Sequence, residues 1–136
     1  MKILEILTER RRIGNAGERA ATRHLKKNGY KILAKNYVAL GYEIDVIASD
    51  GEHTVFCEVK TRTLGRENPK EPRPASSVTP EKQRKIISAA KSYNAYKSLH
   101  KRMRFDVIEV FVDENKRVKN INHLVGAFNY DTAARR

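Results

Sequence analysis

The sequence predicts an α/β domain. Its elements run helix, strand, strand, strand, helix, strand, an α-β-β-β-α-β core whose mixed sheet is flanked by the helices. Three observations carry that reading. Two strand-like runs, Glu43-Ile44-Asp45-Val46-Ile47-Ala48 and Thr54-Val55-Phe56-Cys57-Glu58-Val59-Lys60, are joined through Asp50-Gly51, a strong hairpin signal because glycine supplies a positive φ. Thr79-Pro80-Glu81 opens a helix, with threonine as N-cap, proline at the first helical position and an acid in the first turn. Phe105 to Val112 is almost continuously apolar, as a strand covered on both faces should be.

The first helix is expected over about Ile13 to Lys27, stopped by Asn28-Gly29. Gly17, Ala20, Ala21 and Leu25 give it a narrow stripe of mostly small residues suited to close packing on a sheet. Glu18 borders that stripe. It either points along the sheet or pairs locally with Arg11 or Thr22. Tyr30 to Val38 reads as the first strand and leads into the hairpin. Residues 62–79 are expected to be a mobile loop, since Arg62 to Pro80 holds all four prolines together with Gly65. A loop of that length is either a flap over the strand it leaves or a tolerated insertion. The second helix runs to about Leu99. Ile86, Ile87, Ala90 and Tyr93 form its buried stripe and Gln83 opens it. Lys82, Arg84, Lys85, Lys91 and Lys97 decorate the remainder, either as phosphate contacts or as a solvated face. A last strand over about Val118 to Val125 precedes a tail, 126–136, expected to fray. The 136 residues make one domain with its core over about 13–125.

Asp45 breaks the local rules, because aspartate is disfavoured in strands and a buried unpaired carboxylate is costly. With a two-residue loop, Asp45 lies opposite Phe56 and Glu43 opposite Glu58; a four-residue loop keeps the same parity. Glu43, Asp45, Glu58 and Lys60 then share one face, and Ile44, Val46, Ala48, Val55, Cys57 and Val59 the other. Acids crowded in this way need neutralising, and a hard divalent cation such as Mg²⁺ takes oxygen ligands of this kind. The competing reading is a polar outer sheet face with incidental salt bridges.

The chain carries 28 Lys+Arg against 16 Asp+Glu, a net +12 that favours a polyanionic partner, most simply nucleic acid. Cys57 is the single cysteine, which excludes an intramolecular disulfide and suits a reducing cytoplasm. No Cys/His cluster has zinc-ligand spacing. The opening residues are too charged for a signal-peptide core, so a soluble cytoplasmic protein is expected.

In this element order, with Asp45 and Glu58-Val59-Lys60 on the central hairpin, the chain resembles the PD-(D/E)XK nuclease superfamily. That is the restriction-endonuclease-like fold, which also includes archaeal Holliday junction resolvases. Closer still, it is similar to the uncharacterised bacterial YraN-like family. The resemblance runs from about Gly14 to Val112. It rests on Gly14-Asn15-Ala16-Gly17-Glu18, Glu43-Ile44-Asp45, Glu58-Val59-Lys60-Thr61-Arg62, Val78-Thr79-Pro80-Glu81-Lys82-Gln83-Arg84 and Arg104-Phe105-Asp106-Val107. One departure is Tyr42, which stands where the family has glycine directly before Glu-Ile-Asp.

The resemblance implies a Mg²⁺- or Mn²⁺-dependent endonuclease acting on DNA, with branched or damaged DNA as candidate substrates. It implies that Asp45, Glu58 and the Val59 carbonyl bind the metal, with Glu18 reaching it directly or through water. Lys60 would orient or help deprotonate the attacking water, and Gln83 would brace Lys60 or a phosphate. Lys82, Arg84, Lys85 and Arg62 are the expected nucleic-acid contacts. A homodimer is a further partner the resemblance suggests. The alternatives are a non-catalytic nucleic-acid-binding module with the same fold and a scaffold protein in a repair or uptake complex.

Overall fold

The structure, a computed structural model, describes residues 3–65, 78–97 and 100–134. The elements are α1 (Ile3–Lys27), β1 (Lys31–Ala39), β2 (Tyr42–Ser49), β3 (His53–Thr63), α2 (Pro80–Lys97), β4 (Arg102–Val112), β5 (Val118–Phe128) and α3 (Tyr130–Ala134). The strands form one five-stranded sheet in the order β1-β2-β3-β4-β5. β1, β2 and β3 make an antiparallel meander, β3 and β4 run parallel, and β5 returns antiparallel to β4. The parallel pair requires a crossover, and the segment containing α2 supplies it.

Each face of the sheet has its own core. Ala20, Ala21 and Leu25 of α1 pack with Val46, Ala48, Val55, Cys57, Ile108, Val110 and Val112. Ile86, Ile87, Ala90 and Tyr93 of α2 pack with Ile47, Phe56, Phe105 and Val107. Phe56, Phe105 and Phe128 stack in sequence across neighbouring strands, at 5.6 and 5.3 Å between centroids. β4 is therefore covered on both faces, as its apolar run predicts. Cys57 is fully buried, and burial pushes its thiol pKa up, in keeping with a core role.

α1 stops where expected. Gly29 takes a left-handed φ of 86°, and the amides of Gly29 and Tyr30 close back on the Lys26 and Leu25 carbonyls. The helix begins earlier than the expected Ile13, at Ile3. Gly17 brings α1 hard against β3: a methyl group added there would collide with the Thr61 hydroxyl. That close approach sets the depth at which the adjoining Glu18 meets the sheet. α2 is capped by Thr79, whose hydroxyl accepts from the Lys82 amide at 3.2 Å.

Three further expectations change. The hairpin pairs Ser49 with Thr54 and Ile47 with Phe56, so a four-residue turn replaces the two-residue one and Asp45 is not opposite Phe56. The Asp50 carboxylate holds that turn, accepting from the amides of Glu52 at 2.8 Å and His53 at 2.6 Å. The loop expected from 62 starts later, because β3 continues to Thr63. Residues 66–77 lie outside the described residues, and the chain returns at a fully buried Val78. The tail expected to fray from 126 is folded through β5 and α3. Phe128 and Ala133 are buried, Arg84 donates to the Ala133 carbonyl at 2.6 Å, and the Lys91 ammonium lies over the Tyr130 ring.

Candidate functional site

The site begins as an interruption of the sheet. β1 and β2 pair Lys35 with Val46 and then Tyr37 with Ile44, and between those pairs stand Asn36 and Asp45. Asn36 has a left-handed φ of 52°, which asparagine tolerates better than most residues. Ile44 and Ile47 both join the α2-side core while Val46 joins the α1-side core, so the alternation of β2 slips by one residue around Asp45. The β2–β3 ladder ends at Val46↔Cys57, directly before Asp45 and Glu58. In place of a ladder bond, the Asp45 carboxylate accepts from the Val59 amide at 2.7 Å. The single shared face expected for Glu43, Asp45, Glu58 and Lys60 is thus redistributed. Ile44 moves to the α2 side, and Glu43 lies close enough to Glu18 of α1 to raise its pKa.

The electrostatics of this opening are one-sided. Asp45 is pushed up to about 7, by burial first and then by Glu58, with Glu18 and Glu43 adding to it. Glu58 is raised by burial, while Lys60 and Lys82 oppose the rise. Glu18 is raised by burial and by Glu43, while the Asn36 side-chain amide bonds its carboxylate. The local pairing expected for Glu18 takes another form: the Thr22 hydroxyl bonds the Glu18 main-chain carbonyl at 2.8 Å and leaves the carboxylate facing Asn36. A net +12 chain has therefore collected its strained acids at one gap in its sheet.

Around them stand cations. The Lys60 ammonium reaches 3.7 Å from the Glu58 carboxylate. Lys82, in the first turn of α2, acts on Glu58 from the helix side. Gln83 is buried and its side-chain amide donates to the Val78 carbonyl at 2.8 Å, tying the first turn of α2 to the chain that enters it. Arg62 extends along the same strand, and its guanidinium is bound to the nearly buried Glu109 at 2.7 Å. Arg84 is engaged with the C-terminal helix, and Lys85 forms an exposed pair with Glu81 at 3.7 Å. Two contributors are not expected from the sequence, Asn36 and Glu109. Tyr42, expected only as a departure from the family's glycine, bonds Glu58 through its hydroxyl, its pKa raised by burial and Glu58. Asn36 left one signal, a strand-disfavoured residue in the middle of a strand.

The uncharacterised protein family UPF0102 matches residues 17–110. This chain belongs to that family. A UPF0102 protein of Chlorobium limicola is 41% identical over 122 residues, covering 85% of this chain and 91% of that protein. One from Chlorobaculum tepidum is 45% identical over 124 residues, at 85% and 91% coverage. One from Caldanaerobacter subterraneus subsp. tengcongensis is 39% identical over 118 residues, at 85% and 93%. The UPF0102 span holds Gly17, Glu18, Asn36, Tyr42, Asp45, Glu58, Lys60, Lys82, Gln83 and Glu109.

A UPF0102 chain with this geometry offers a cation a limited set of ligands. Among the described residues, no three His, Cys, Asp or Glu side chains converge closely enough to enclose a metal ion. Asp45 and Glu58 are a pair, with Glu18 set back on α1. One or two carboxylates with water completing the shell is the usual Mg²⁺ arrangement, so the donor set fits that ion better than one needing a full protein cage. No helix among the described residues is long and apolar enough to cross a membrane.

Proposed function

We propose that this chain is a divalent-cation-dependent endonuclease with a PD-(D/E)XK, restriction-endonuclease-like active site, hydrolysing phosphodiester bonds in DNA. One observation carries the reading. The ladder between β2 and β3 stops where two acids with raised pKa meet, and Lys60 stands 3.7 Å from one of them. A sheet has no structural use for such a gap, whereas phosphoryl transfer needs negative ligands and a cation at a single point.

Asp45 and Glu58 would hold Mg²⁺ or Mn²⁺ with the Val59 carbonyl and water, and Glu18 would contribute through a water held with Asn36. The bound ion supplies an activated water and charge neutralisation at the phosphate oxygens. Lys60 places a positive charge beside the attacking water and the developing charge on the phosphate. The Tyr42 hydroxyl and Lys60 hold the Glu58 carboxylate in place. Gln83 acts as a positioning residue, fixing the turn that presents Lys82, and the exposed Lys82 and Lys85 would contact the polyanion.

The test is a panel of single-stranded, duplex, nicked and four-way-junction DNA, with RNA controls, incubated with Mg²⁺ or Mn²⁺. Cutting of at least one DNA that disappears with Asp45→Asn is expected. Tight DNA binding without cutting on any substrate would replace the proposal with a non-catalytic binding module.

A further inference from the structure

The tip of the β1–β2 hairpin is Leu40-Gly41, and both residues have left-handed φ, 52° and 74°. Two-residue turns of this kind favour asparagine, aspartate or glycine at the first position. A leucine there strains the backbone, and this one is also 76% exposed, with Val38 beside it on β1 at 64%. The tip therefore contributes neither relaxed backbone nor buried apolar surface to the fold. Uncompensated strain combined with an exposed apolar side chain is a recurrent mark of a contact made with something else.

The position of the tip narrows what that partner is. It closes the β1–β2 hairpin that carries Asn36 and Asp45, on the far side of those two residues. Gly41 and Asp45 are four residues apart, about 13 Å of extended chain. Successive nucleotides rise about 3.4 Å per strand, so a phosphate at Asp45 and Glu58 puts the tip about four steps along the nucleic acid. The net charge of +12 favours that polyanion and opposes a second copy. Strand pairing with another copy is also disfavoured, because the β1 edge carries a left-handed Asn36, a register shift between Ile32 and Ala34, and exposed Lys31 and Lys35.

We propose that Leu40, supported by Val38, is an apolar wedge that enters the base stack about four steps from the cleaved phosphate and makes unstacked or branched DNA the preferred substrate. The assignment rests on the nuclease reading. Apolar side chains inserted between base steps are a known means of kinking DNA, and insertion is easiest where pairing is already broken. The wedge thereby selects structure instead of sequence.

2-Aminopurine placed at successive positions in four-way-junction, forked and plain duplex DNA reads unstacking directly. The measurement is made in Ca²⁺, so that it reports binding. Wild-type protein should brighten the probe in a narrow window of the branched substrates. Leu40→Asn suits the turn, so it should raise the melting temperature, abolish that signal and reduce the preference for branched over plain duplex DNA by about tenfold, the scale of one discriminating contact. Single-strand cutting should persist in the variant. Unchanged signal and preference in Leu40→Asn overturn the wedge. So does a wild-type dimer in sedimentation that Leu40→Asn converts to monomer, which would assign the tip to a second copy. A wild type that cuts no DNA yet gives a Leu40-dependent signal overturns the nuclease reading and leaves the wedge. Absence of both binding and cutting overturns both.

Discussion

Two aspartates in this sheet have been treated in opposite ways. Asp106 of β4 is fully buried, and burial alone would raise its pKa. Its pKa is instead lowered, because His123 at 2.7 Å, the Arg104 guanidinium at 2.9 and 2.8 Å and the Gly126 amide at 2.9 Å surround it with donors. Arg104 is tied in turn to Asp50 and Tyr30, and His123 to His24 of α1. Asp45 of β2 accepts from the Val59 amide, and among the described residues the charges that act most strongly on it are the acids Glu58, Glu18 and Glu43, which raise its pKa. The sign of a buried carboxylate's shift is thus set by its partners more than by its depth. Asp106 is a structural anion tying β4 and β5 to α1. Asp45 is an anion the protein leaves short of compensation.

The sharpest way to break this contrast is to neutralise each in turn. Asp106→Asn removes the buried negative charge that Arg104 and His123 face and should cost about 3–5 kcal/mol in urea denaturation. Asp45→Asn should leave the metal-free protein equally stable or more stable, while calorimetric titration with Mn²⁺ shows binding abolished. Destabilisation of equal size in the two variants would mean that Asp45 is as well compensated as Asp106.

Next in size is Lys60→Met. Turnover on the best DNA substrate should fall by about 100-fold, with Mn²⁺ and DNA affinities little changed. A variant that keeps full activity would detach Lys60 from the chemistry.

Acidity probes the same pair of aspartates. Asp45 titrates near 7 when folded and near 3.8 when unfolded, so between those values the folded state holds a proton the unfolded state has released. Stability from this group is therefore greatest below about pH 4 and declines as pH rises towards 7. Asp106 and Asp50 have the opposite sign. Burial opposes the lowering at Asp50, but the His53 and Glu52 amides bring it to about 2. Stability from those two is present above the unfolded pKa and lost as pH falls through the folded value. His24, lowered by burial and His123, adds another loss on the acid side of 6.5. Subtracting an Asp45→Asn melting curve from the wild-type curve at each pH isolates the Asp45 limb. Mn²⁺ should remove that limb from the wild type.

The smallest effect expected is at the surface. Replacing Lys82 and Lys85 with alanine should flatten the salt dependence of duplex binding by about 0.9 in log–log slope for each phosphate that is no longer neutralised. An unchanged slope would place the nucleic-acid face elsewhere.

Much of the fold is legible in the chain because its signals are local. Thr79-Pro80, Asn28-Gly29 and the apolar run of β4 each announce their element within a few residues. The acids of the hairpin announce themselves as polar intrusions in strands. What is not legible depends on distant partners. The slip at Asp45 becomes visible only when Ile44 and Val46 are seen to enter different cores. The compensation of Asp106 needs Arg104, His123 and Gly126 brought together by the β4–β5 pairing. Arg62 reads only as a nucleic-acid contact, and its pairing with Glu109 becomes visible once β4 lays Glu109 beside Lys60. The tail looks frayed until Phe128 finds Phe105.

The pairing pattern also orders how such a chain assembles. β2 and β3 close a turn whose paired ends, Ser49 and Thr54, are five positions apart. Every β3–β4 pair, from His53↔Arg102 to Thr63↔Val112, is 49 positions apart. Closing the longer span costs about 2 kcal/mol more in chain entropy than closing the hairpin. The meander should therefore form early and the parallel ladder late, the latter setting the folding rate. Asp45 and Glu58 both belong to the early piece, so the two carboxylates meet before the central ladder that seals the protein around them.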